Sequence, residues 1–569
     1  MFRKLFYAFT LALLITQLAI GGEVRRGGKR IQTPGFGQGD IWFSDNCYTT
    51  DVGQDVCGYN AADIPVIIGD NTLSINDAVT AWVDVRAFRA SGQTTDNVTN
   101  AQAAINAAKY GQTVVFHDNL VLTSSLTGKT GVNLLGLGVT MSSTTAAMTY
   151  LINLDNVTDV SVSGFTFTTG TTLTGASCET GIRIATGSQR IKIFSNYFHD
   201  IYIGLFTQLE QASNSDIQIF GNAFYRMGNL AIGINNRGTT GVKIYSNTFT
   251  NCGFTQGAGT IGGAVEIRGN TGTIVTNNHF YHLTDNSYPN DGVRIENVSE
   301  ATAFKGSHNI VSNNVMDDIG GNGVRVTDCD NTLINGNQIR NISTTANGGA
   351  GYSGNGVFMA SSSSPSNYAS IINNVIDNTV NGIGYANGTA YFNFIALNII
   401  LNSSNSGMYL LTNNSTIISN KIRGSDTLGC ISLYADNNYV ANNELVDGPA
   451  VYGGILVVSN KNTIKDNYIY DSRVSPLMTY GIWVGAYTGN VIRNNEIIGM
   501  ATNRIFLEAT TAFAGNTLSH LVPKPANKTA TCNPGDWAMD NTYIYRADPS
   551  SQYAPFNWTR SPAFDNNAW

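Results

Sequence analysis

A short pattern of polar and apolar positions recurs through most of this chain of 569 residues. Its first element is an Asn followed by one variable and one apolar residue, usually at intervals of 22 to 28 residues. Copies begin at Asn196, Asn222, Asn247, Asn278, Asn314, Asn337, Asn374, Asn398, Asn420, Asn443, Asn467 and Asn495. A repeat of this length predicts a solenoid, in which each unit buries its apolar face against its neighbours.

A second element lies between the Asn positions. It is a small residue, usually Gly, followed by a short alternating strand, as in Gly181-Ile-Arg-Ile, Gly292-Val-Arg-Ile and Gly407-Met-Tyr-Leu. Alternation with period two indicates half-buried strands, and the 3.6-residue period of helical solenoids is absent. Short strands in coils of about 24 residues pair in parallel with the next coil. We therefore predict an all-β fold, a single parallel β-helix over residues 81–521, with its repeats clearest from about 130 to 515.

The recurring Asn is interpreted as a structural residue. Asn tolerates left-handed backbone at a turn, and its side chain can hydrogen-bond the Asn of the next coil. We therefore assign these Asn residues no catalytic role.

The composition and net charge limit the functional classes of protein that fit this chain. Charged residues make up 12% of the chain, about half of the usual share, while Gly is abundant at 60 residues. The formal net charge of −7 excludes the basic footprint of a nucleic-acid-binding protein.

The two ends differ from the repeat. Residues 1–22 combine Arg3 and Lys4 with an apolar run, which predicts an export signal or an uncleaved anchor. Residues 23–80 are predicted to be a cap or attachment segment, in which Cys47 and Cys57 could form a disulfide. Residues 522–569 are rich in Trp and Tyr and are predicted to be a small β module.

The segment from 81 to 126 supplies a family resemblance. It is interpreted as a strand at Val83–Phe88, a helix at about 100–108 and a strand at Thr113–Phe116. This order resembles the lead-in to the β-helix of the pectate-lyase-like superfamily, particularly the branch shared by secreted polysaccharide-degrading enzymes and phage tailspikes. The resemblance implies a right-handed β-helix capped by a short helix. It leaves the reaction open, because this fold hosts lyases, hydrolases, epimerases and non-catalytic proteins.

Stacked coils turn outward residues into columns. The first predicted column is Arg183, Phe206, Gly233, Glu266, Arg294, Arg325, Phe358, Gly384, Tyr409, Ser432, Leu456 and Trp483. Charges gather on three successive coils of this face, at Glu266, Arg268, Asp291, Arg294, Glu296, Arg325 and Asp328. Aromatic residues, at Phe358, Tyr409 and Trp483, are expected to continue it as exposed side chains.

A charged centre flanked by aromatics suits an extended acidic sugar polymer, since Arg forks pair with carboxylates and rings stack on aromatic faces. The candidate catalytic residues are Glu266, Asp291, Arg294, Glu296 and Arg325. The candidate substrate-binding residues are Arg268, Asp328, Phe358, Tyr409 and Trp483. The alternative is a cross-strand ladder of opposite charges that only stabilises the fold.

Elimination is the first of two reactions that fit. In a polysaccharide lyase, Arg294 or Arg325 would neutralise a uronate carboxylate, and Lys305, His308 or an Arg would take the C5 proton.

Hydrolysis is the second reaction. Two of Glu266, Asp291 and Glu296 would then act as acid and base. The Cβ atoms of Glu266 and Glu296 are expected roughly 8 Å apart, which is compatible with the wide carboxylate separation of inverting enzymes. A non-catalytic adhesive or structural fibre remains the alternative to either enzyme.

The remaining expectations concern cofactors, location and partners. No metal site is expected on the solenoid, and the only candidates for Ca²⁺ are Asp45, Asp51 and Asp55, which lack the order of an EF-hand. The expected partner is a polysaccharide, the expected location extracellular or cell-surface, and a homo-oligomer is an open alternative. Membrane contact is expected only if residues 1–22 are retained.

Overall fold

The protein is a solenoid of three parallel sheets. The computed structural model describes residues 81–143, 149–169, 180–207, 214–235, 238–253, 262–283, 290–297, 306–343, 354–361, 366–386 and 390–508. Nearer the two chain ends it describes only the backbone of some strands. Each full coil gives one strand to each sheet, and we name the sheets S1, S2 and S3 in their order within the repeat that begins at Leu126. The predicted right-handed parallel β-helix is confirmed.

The strands of each sheet pair in parallel with those of the next coil. S1 contains Leu126–Thr127, Tyr150–Asp155, Thr180–Ala185, Ile203–Thr207, Leu230–Ile234, Gly262–Arg268, Asn290–Glu296, Val324–Thr327, Asn355–Ala360, Ile431–Leu433, Ile455–Val457, Tyr480–Val484 and Asn503–Leu507. S2 contains Trp82–Asp84, Thr113–Phe116, Gln189–Phe194, Ser215–Phe220, Lys243–Tyr245, Ile274–Thr276, Ile310–Ser312, Leu333–Asn335, Ser370–Ile372, Phe394–Ala396, Thr416–Ile418, Tyr439–Ala441, Thr463–Lys465, Val491–Arg493 and Thr517–Leu521. S3 contains Leu120–Leu122, Tyr197–His199, Ala223–Tyr225, Thr248–Thr250, His279–Leu283, Val315–Ile319, Gln338–Ile342, Lys421–Ser425, Glu444–Val446, Tyr468–Tyr470 and Glu496–Ile498.

Four long strands turn a corner without interruption. Asn133–Ser143 and Thr158–Phe167 run from S2 into S3, while Val375–Ala386 and Ile399–Leu410 run from S3 into S1. A further pair, Ala390–Tyr391 and Thr412–Asn413, bridges two coils between S1 and S2.

A helix covers the N-terminal end of the solenoid, as predicted. It spans Val98–Ala107, and the side chain of Asn97 caps it by accepting the N–H of Asn100. The predicted strand at Val83–Phe88 is wrong in its second half. The strand ends at Asp84, whose side chain accepts the N–H of Arg86 and starts a 3₁₀ turn over Val85–Phe88.

The chain ends carry short strands outside the solenoid. They are Glu23–Arg26, Lys29–Ile31, Asp40–Ser44, Cys47–Thr49, Asp55–Cys57, Pro65–Ile68 and Asn71–Ser74, and then Asp536–Met539, Tyr543–Ala547 and Trp558–Pro562. Cys47 and Cys57 are direct partners in an antiparallel pair, and their disulfide stays a prediction. Residues 1–22 lie outside the described part, within which no helix is long and apolar enough to span a membrane.

The small residue near the start of each S1 segment is required by packing in the interior. Phe198, Phe224, Phe249 and Phe280 stack at 4.6 to 5.1 Å between ring centroids inside S3. A Cβ on Gly204 would lie 2.8 Å from the Phe224 ring, and one on Gly382 would lie 2.4 Å from Ile400. The repeated Gly is therefore set by packing against bulky S3 side chains, because close-packed interiors do not absorb an extra methyl group.

A ladder of buried Asn side chains lines the corner between S2 and S3. The Oδ1 of Asn398 accepts the N–H and Nδ2–H of Asn374, at 3.1 and 3.0 Å, and Nδ2 of Asn398 donates to Oδ1 of Asn420 at 2.9 Å. The predicted bonding between coils is confirmed. The assignment of left-handed backbone to these Asn residues is wrong, because the preceding residue adopts it, as Asn373 and Ser419 do with φ of +55° each.

Replacing one rung of this ladder should destabilise the fold. Asn398→Ala leaves the buried N–H of Asn374 without its side-chain acceptor and removes a hydrogen bond to the C=O of Ile371, which costs about 1–3 kcal/mol. Denaturant unfolding measures the loss. The matched control is Asn335→Ala, whose side chain accepts one exposed bond of 3.3 Å from Asn373. Equal losses in the two variants would contradict a stabilising ladder.

Candidate functional site

The predicted column of outward residues on S1 exists as written. Strand pairing runs without a break from Arg183 through Glu266, Arg294, Arg325 and Phe358 to Trp483. A second column brings Arg268 beside Glu296 and Glu296 beside Thr327. Period-two alternation was therefore sufficient to locate these residues on one face.

A charged cluster occupies the middle of this face; we define it as Glu266, Arg268, Asp291, Arg294, Glu296 and Arg325. Arg294 donates from Nε and Nη2 to Glu296 Oε2, at 2.9 and 2.6 Å, and its Nη1 lies 3.5 Å from Glu266 Oε2. Arg268 Nε contacts Glu296 Oε1 at 2.5 Å and Glu266 Oε1 at 3.2 Å. Two carboxylates and two guanidinium groups thus neutralise one another, as the ladder interpretation requires.

The hydrolytic pairing of Glu266 with Glu296 is not supported by this geometry. Both carboxylates contact Arg268 and Arg294, so the space between them is filled by guanidinium groups rather than left open for a water molecule. Inverting enzymes need that open space, at carboxyl separations of about 6.5–9.5 Å. The separation of about 8 Å between the two Cβ atoms stays a prediction, while Arg268 and Arg294 contact both carboxylates from between them.

Glu266 is held by more than charge. It is nearly inaccessible to solvent, and Asn235 Nδ2 donates to its Oε1 at 2.9 Å. Burial raises the pKa of Glu266, and the neighbouring Arg294 and Arg268 oppose that rise.

Asp291 is the unusual carboxyl of the cluster. It is fully buried at the start of its S1 strand, where Oδ1 accepts the backbone N–H and Nδ2–H of Asn322, each at 2.9 Å. The same position in the following coils is Asn322, Asn355 and Asn381, each bonded to its neighbour. Oδ2 of Asp291 has no hydrogen-bond partner among the described residues. Burial raises the pKa of Asp291, and the positive charges of Arg325 and Arg294 oppose this rise. The net rise in pKa favours the protonated form of the carboxyl.

Arg325 differs from the other two Arg residues of the cluster. It is half-buried, its Nε donates to the Thr327 hydroxyl at 3.3 Å, and its guanidinium lies 5.7 Å from the Phe358 ring centroid. It forms no ion pair with any described residue. The expectation that Phe358 is an exposed stacking surface is wrong, because only 1% of it is accessible beside Arg325.

An aromatic cluster continues the face; we define it as Tyr409, Tyr434, Tyr452, Trp483 and Tyr487, all of them half-buried. The ring centroids of Tyr409 and Tyr434 lie 4.8 Å apart, and those of Tyr452 and Trp483 lie 5.6 Å apart. Burial and the neighbouring tyrosines raise the pKa of Tyr434 to about 12. Sequence analysis missed Tyr452 and Tyr487, because both lie in turns where alternation gives no signal.

The other predicted residues lie elsewhere. Asp328 is buried beyond the end of its strand with φ of +56°, so it leaves the columns. His308 is exposed at the corner between S1 and S2, and Lys305 lies outside the described residues. The side chains of Asp45, Asp51 and Asp55 are also outside them. Within the described ranges, no group of three or more His, Cys, Asp or Glu side chains could hold a metal ion.

A surface depression among the described residues lies at one corner of the solenoid. It is lined by Asp318, Asn341, Ser343, Asn378 and Ser404, at the corner between S3 and S1. It contains none of the predicted site residues.

Comparison with known proteins identifies the family. The description "right handed beta helix region" matches residues 180–365 and 355–518. The chain belongs to the right-handed β-helix family. A search of the curated proteins found no match to this chain.

Several solved structures are similar to this chain. They include the A-module of the mannuronan C-5 epimerase AlgE6 from Azotobacter vinelandii, with 15% identity, 75% of this chain and 99% of that chain covered, and a TM-score of 0.36. The tailspike protein of E. coli bacteriophage HK620, in complex with a pentasaccharide, has 12% identity, coverage of 85% and 87%, and a TM-score of 0.47. The catalytic unit of a GH87 α-1,3-glucanase from Streptomyces thermodiastaticus has 12% identity, coverage of 80% and 70%, and a TM-score of 0.39. These values describe a likeness of fold alone.

Removing Arg294 should destabilise the β-helix in a pH-dependent way. Arg294→Ala leaves Glu266 and Glu296 short of a cation, a loss of about 3–5 kcal/mol at pH 7 for a broken buried pair. Arg294 lowers the pKa of Glu266, so that pKa rises further in the variant. A raised carboxyl pKa contributes stability that is fully present below the unfolded value of about 4.5 and is lost as pH rises through the folded pKa. The loss should therefore be smaller at pH 5 than at pH 7.

Denaturant unfolding at both pH values measures this difference. The control is Arg340→Ala, since Arg340 is exposed on S3 and its ion pair with Asp317 is worth less than about 1 kcal/mol. A loss that is identical at pH 5 and pH 7 would contradict the assignment to Glu266.

Proposed function

We propose that the outer face of S1 binds an acidic polysaccharide. The observation that carries this proposal is Arg325, a half-buried guanidinium with no ion pair among the described residues. The remaining Arg residues of the charged cluster are already neutralised by Glu266 and Glu296. To the extent that Asp291 keeps its proton, the cluster carries an uncompensated positive charge at Arg325. A sugar carboxylate is the group that an Arg fork pairs with best on an extended glycan.

The aromatic cluster supports the same proposal. Seven strand spacings separate Arg294 from Trp483, which is roughly 34 Å along the solenoid axis. The column has no side chain at Gly384, between Phe358 and Tyr409. A side chain is excluded there because its Cβ would lie 2.3 Å from Asn355 Oδ1. A polymer lying along the face would meet Arg325 at one end and tyrosine and tryptophan rings at the other. Aromatic rings with a polar edge suit sugar rings, which are apolar on their faces and polar at their rims.

Cleavage of the bound glycan, by elimination or hydrolysis, is the finer part of the proposal. For elimination, Arg325 would neutralise the uronate carboxylate, since the fork of Arg294 is held by Glu296. For hydrolysis, Asp291 is the best candidate acid, because its raised pKa favours the protonated form beside Arg325. Asp291 is fully buried, so this role requires a local rearrangement that exposes its carboxyl to the glycan. A non-catalytic glycan-binding fibre is favoured by the mutual neutralisation of Glu266, Arg268, Arg294 and Glu296.

Location and cofactor follow as further proposals. Action on a polysaccharide agrees with the export signal predicted in residues 1–22, so we propose an extracellular or cell-surface protein. A Ca²⁺ ion bridging sugar carboxylates is also proposed, and assays with and without Ca²⁺ test it.

Loss of the Arg325 charge should weaken binding to acidic glycans and leave the fold intact. Arg325→Gln removes a charge-assisted contact, and the dissociation constant for a polyuronate should rise about 10-fold or more. The unfolding midpoint should barely change, because no ion pair is broken. Calorimetric titration with polygalacturonate and alginate measures the affinity. The control is Arg423→Gln on S3, which removes an Arg side chain that is more exposed to solvent than Arg325. Wild-type affinity in Arg325→Gln, or the same loss in both variants, contradicts the proposal.

Asp291→Asn separates catalysis from binding. Asn already occupies this position in the next coils, so the variant should fold and keep its bond to Asn322. If the reaction is hydrolysis, we expect new reducing ends from a polyuronate with the wild type and none with Asp291→Asn, while binding persists. Absorbance near 235 nm, read in parallel, identifies elimination. Binding without products in the wild type would select the non-catalytic alternative.

A further inference from the structure

The corners of the solenoid contain an anomaly in two successive coils. At the corner between S1 and S2, one residue per coil has positive φ, and it is polar in the coils of His308, Asn331, Asn414, Asn437 and Lys461. In the two coils between Asn331 and Asn414 it is Tyr368 and Phe392, with φ of +57° and +59°. Bulky L-residues rarely adopt this conformation, whereas Asn and Gly accept it. The two rings stack on each other with centroids 5.4 Å apart, and both are about half exposed.

The corner between S2 and S3 repeats the anomaly in the same region. Its left-handed position is Asn373, Asn442 and Asn494 in other coils, but Leu397, with φ of +57° and 55% exposure, in the coil of Phe392. Exposed side chains on S2 and S3 join these corners. Together they form an apolar belt, which we define as Tyr368, Val375, Phe392, Phe394, Leu397 and Ile399, each 39% to 55% exposed. Exposed apolar side chains at corner positions that polar residues or Gly hold in other coils indicate a function for that surface.

The belt crosses a face that lacks charge. Seven consecutive S2 strands, from Ile274–Thr276 to Tyr439–Ala441, have no Asp, Glu, Lys or Arg at their outward positions. The neighbouring strands carry Lys243 on one side and Lys465 on the other. A partner recognised by charge has no complementary group on this stretch. An apolar surface of matching shape can pack against it.

We propose that the apolar belt and the uncharged S2 face bind a second copy of this chain. The protein has a net charge of −7, so two copies repel each other over most of their surface and approach best where charge is absent. The exposed parts of the six belt side chains amount to roughly 500 Å². A stable interface buries about 800 Å² on each partner, and the rest of the uncharged S2 face supplies the remainder. An isologous contact brings the belt of one copy onto the same belt of the other.

The test uses a triple variant, Tyr368→Asn, Phe392→Asn and Leu397→Asn, in the full chain. Asn holds the same corners with the same φ in other coils, so this variant should fold with a thermal midpoint no lower than that of the wild type. Sedimentation velocity and light scattering over a wide concentration range should show an associated wild type. The dissociation constant of the triple variant should rise by about 100-fold or more, since aromatic anchors dominate interface energies.

Two further variants make the result decisive. Ser370→Glu places like charges on the S2 faces of both copies and should also weaken association, without removing any belt residue. Tyr281→Asn removes an aromatic side chain of similar exposure from S3 and should leave association unchanged. A wild type that is monomeric at every concentration overturns the proposal. So does association that survives in both the triple variant and Ser370→Glu, or that falls equally in Tyr281→Asn.

Discussion

In-register pairing of successive coils is the constraint on which the rest of this protein depends. Because each strand hydrogen-bonds the same strand of the next coil about 4.8 Å away, every position in the repeat becomes a column along the axis. Inside, the columns are Phe or Ile stacks facing Gly, as Phe224 faces Gly204 and Ile400 faces Gly382. At one corner they are hydrogen-bonded Asn side chains, which satisfy buried backbone groups that the turn would leave unpaired.

The same constraint makes charge on the outer face a collective property. A charged side chain on S1 meets its column neighbours before it meets solvent, so Glu266, Arg294 and Arg268 become partners because they occupy adjacent rungs. Buried charges persist only when they are paired in this way. Binding or catalysis on S1 therefore depends on the polar side chains that are not paired in this way. Arg325 is left without an ion pair among the described residues, and one carboxyl oxygen of Asp291 is left without a hydrogen-bond partner among them.

Departures from the repeat carry the most information in a structure this regular. Asp291 replaces an Asn in its ladder, and Tyr368, Phe392 and Leu397 replace Asn at left-handed corners. The first substitution adds an ionisable group at a buried position on S1, and the others add exposed apolar surface around S2. The two features lie on different sheets, so glycan binding on S1 and self-association through S2 would not compete for the same surface.

The sequence by itself determined the fold, the terminal helix and the membership of each outward column. Short-period alternation and a fixed coil length leave one way to stack the strands, so residue spacing alone places Glu266 beside Arg294. Tertiary structure decided which of these groups remain available. Whether Arg294 or Arg325 is neutralised depends on where long side chains meet across coils, and the burial of Phe358 depends on its neighbours in the column. Tyr452 and Tyr487 joined the aromatic cluster from turns, where no periodicity encodes direction. The backbone strain at Tyr368 and Phe392 was equally hidden, because φ at a corner is set by how the coil closes rather than by the residue that occupies it.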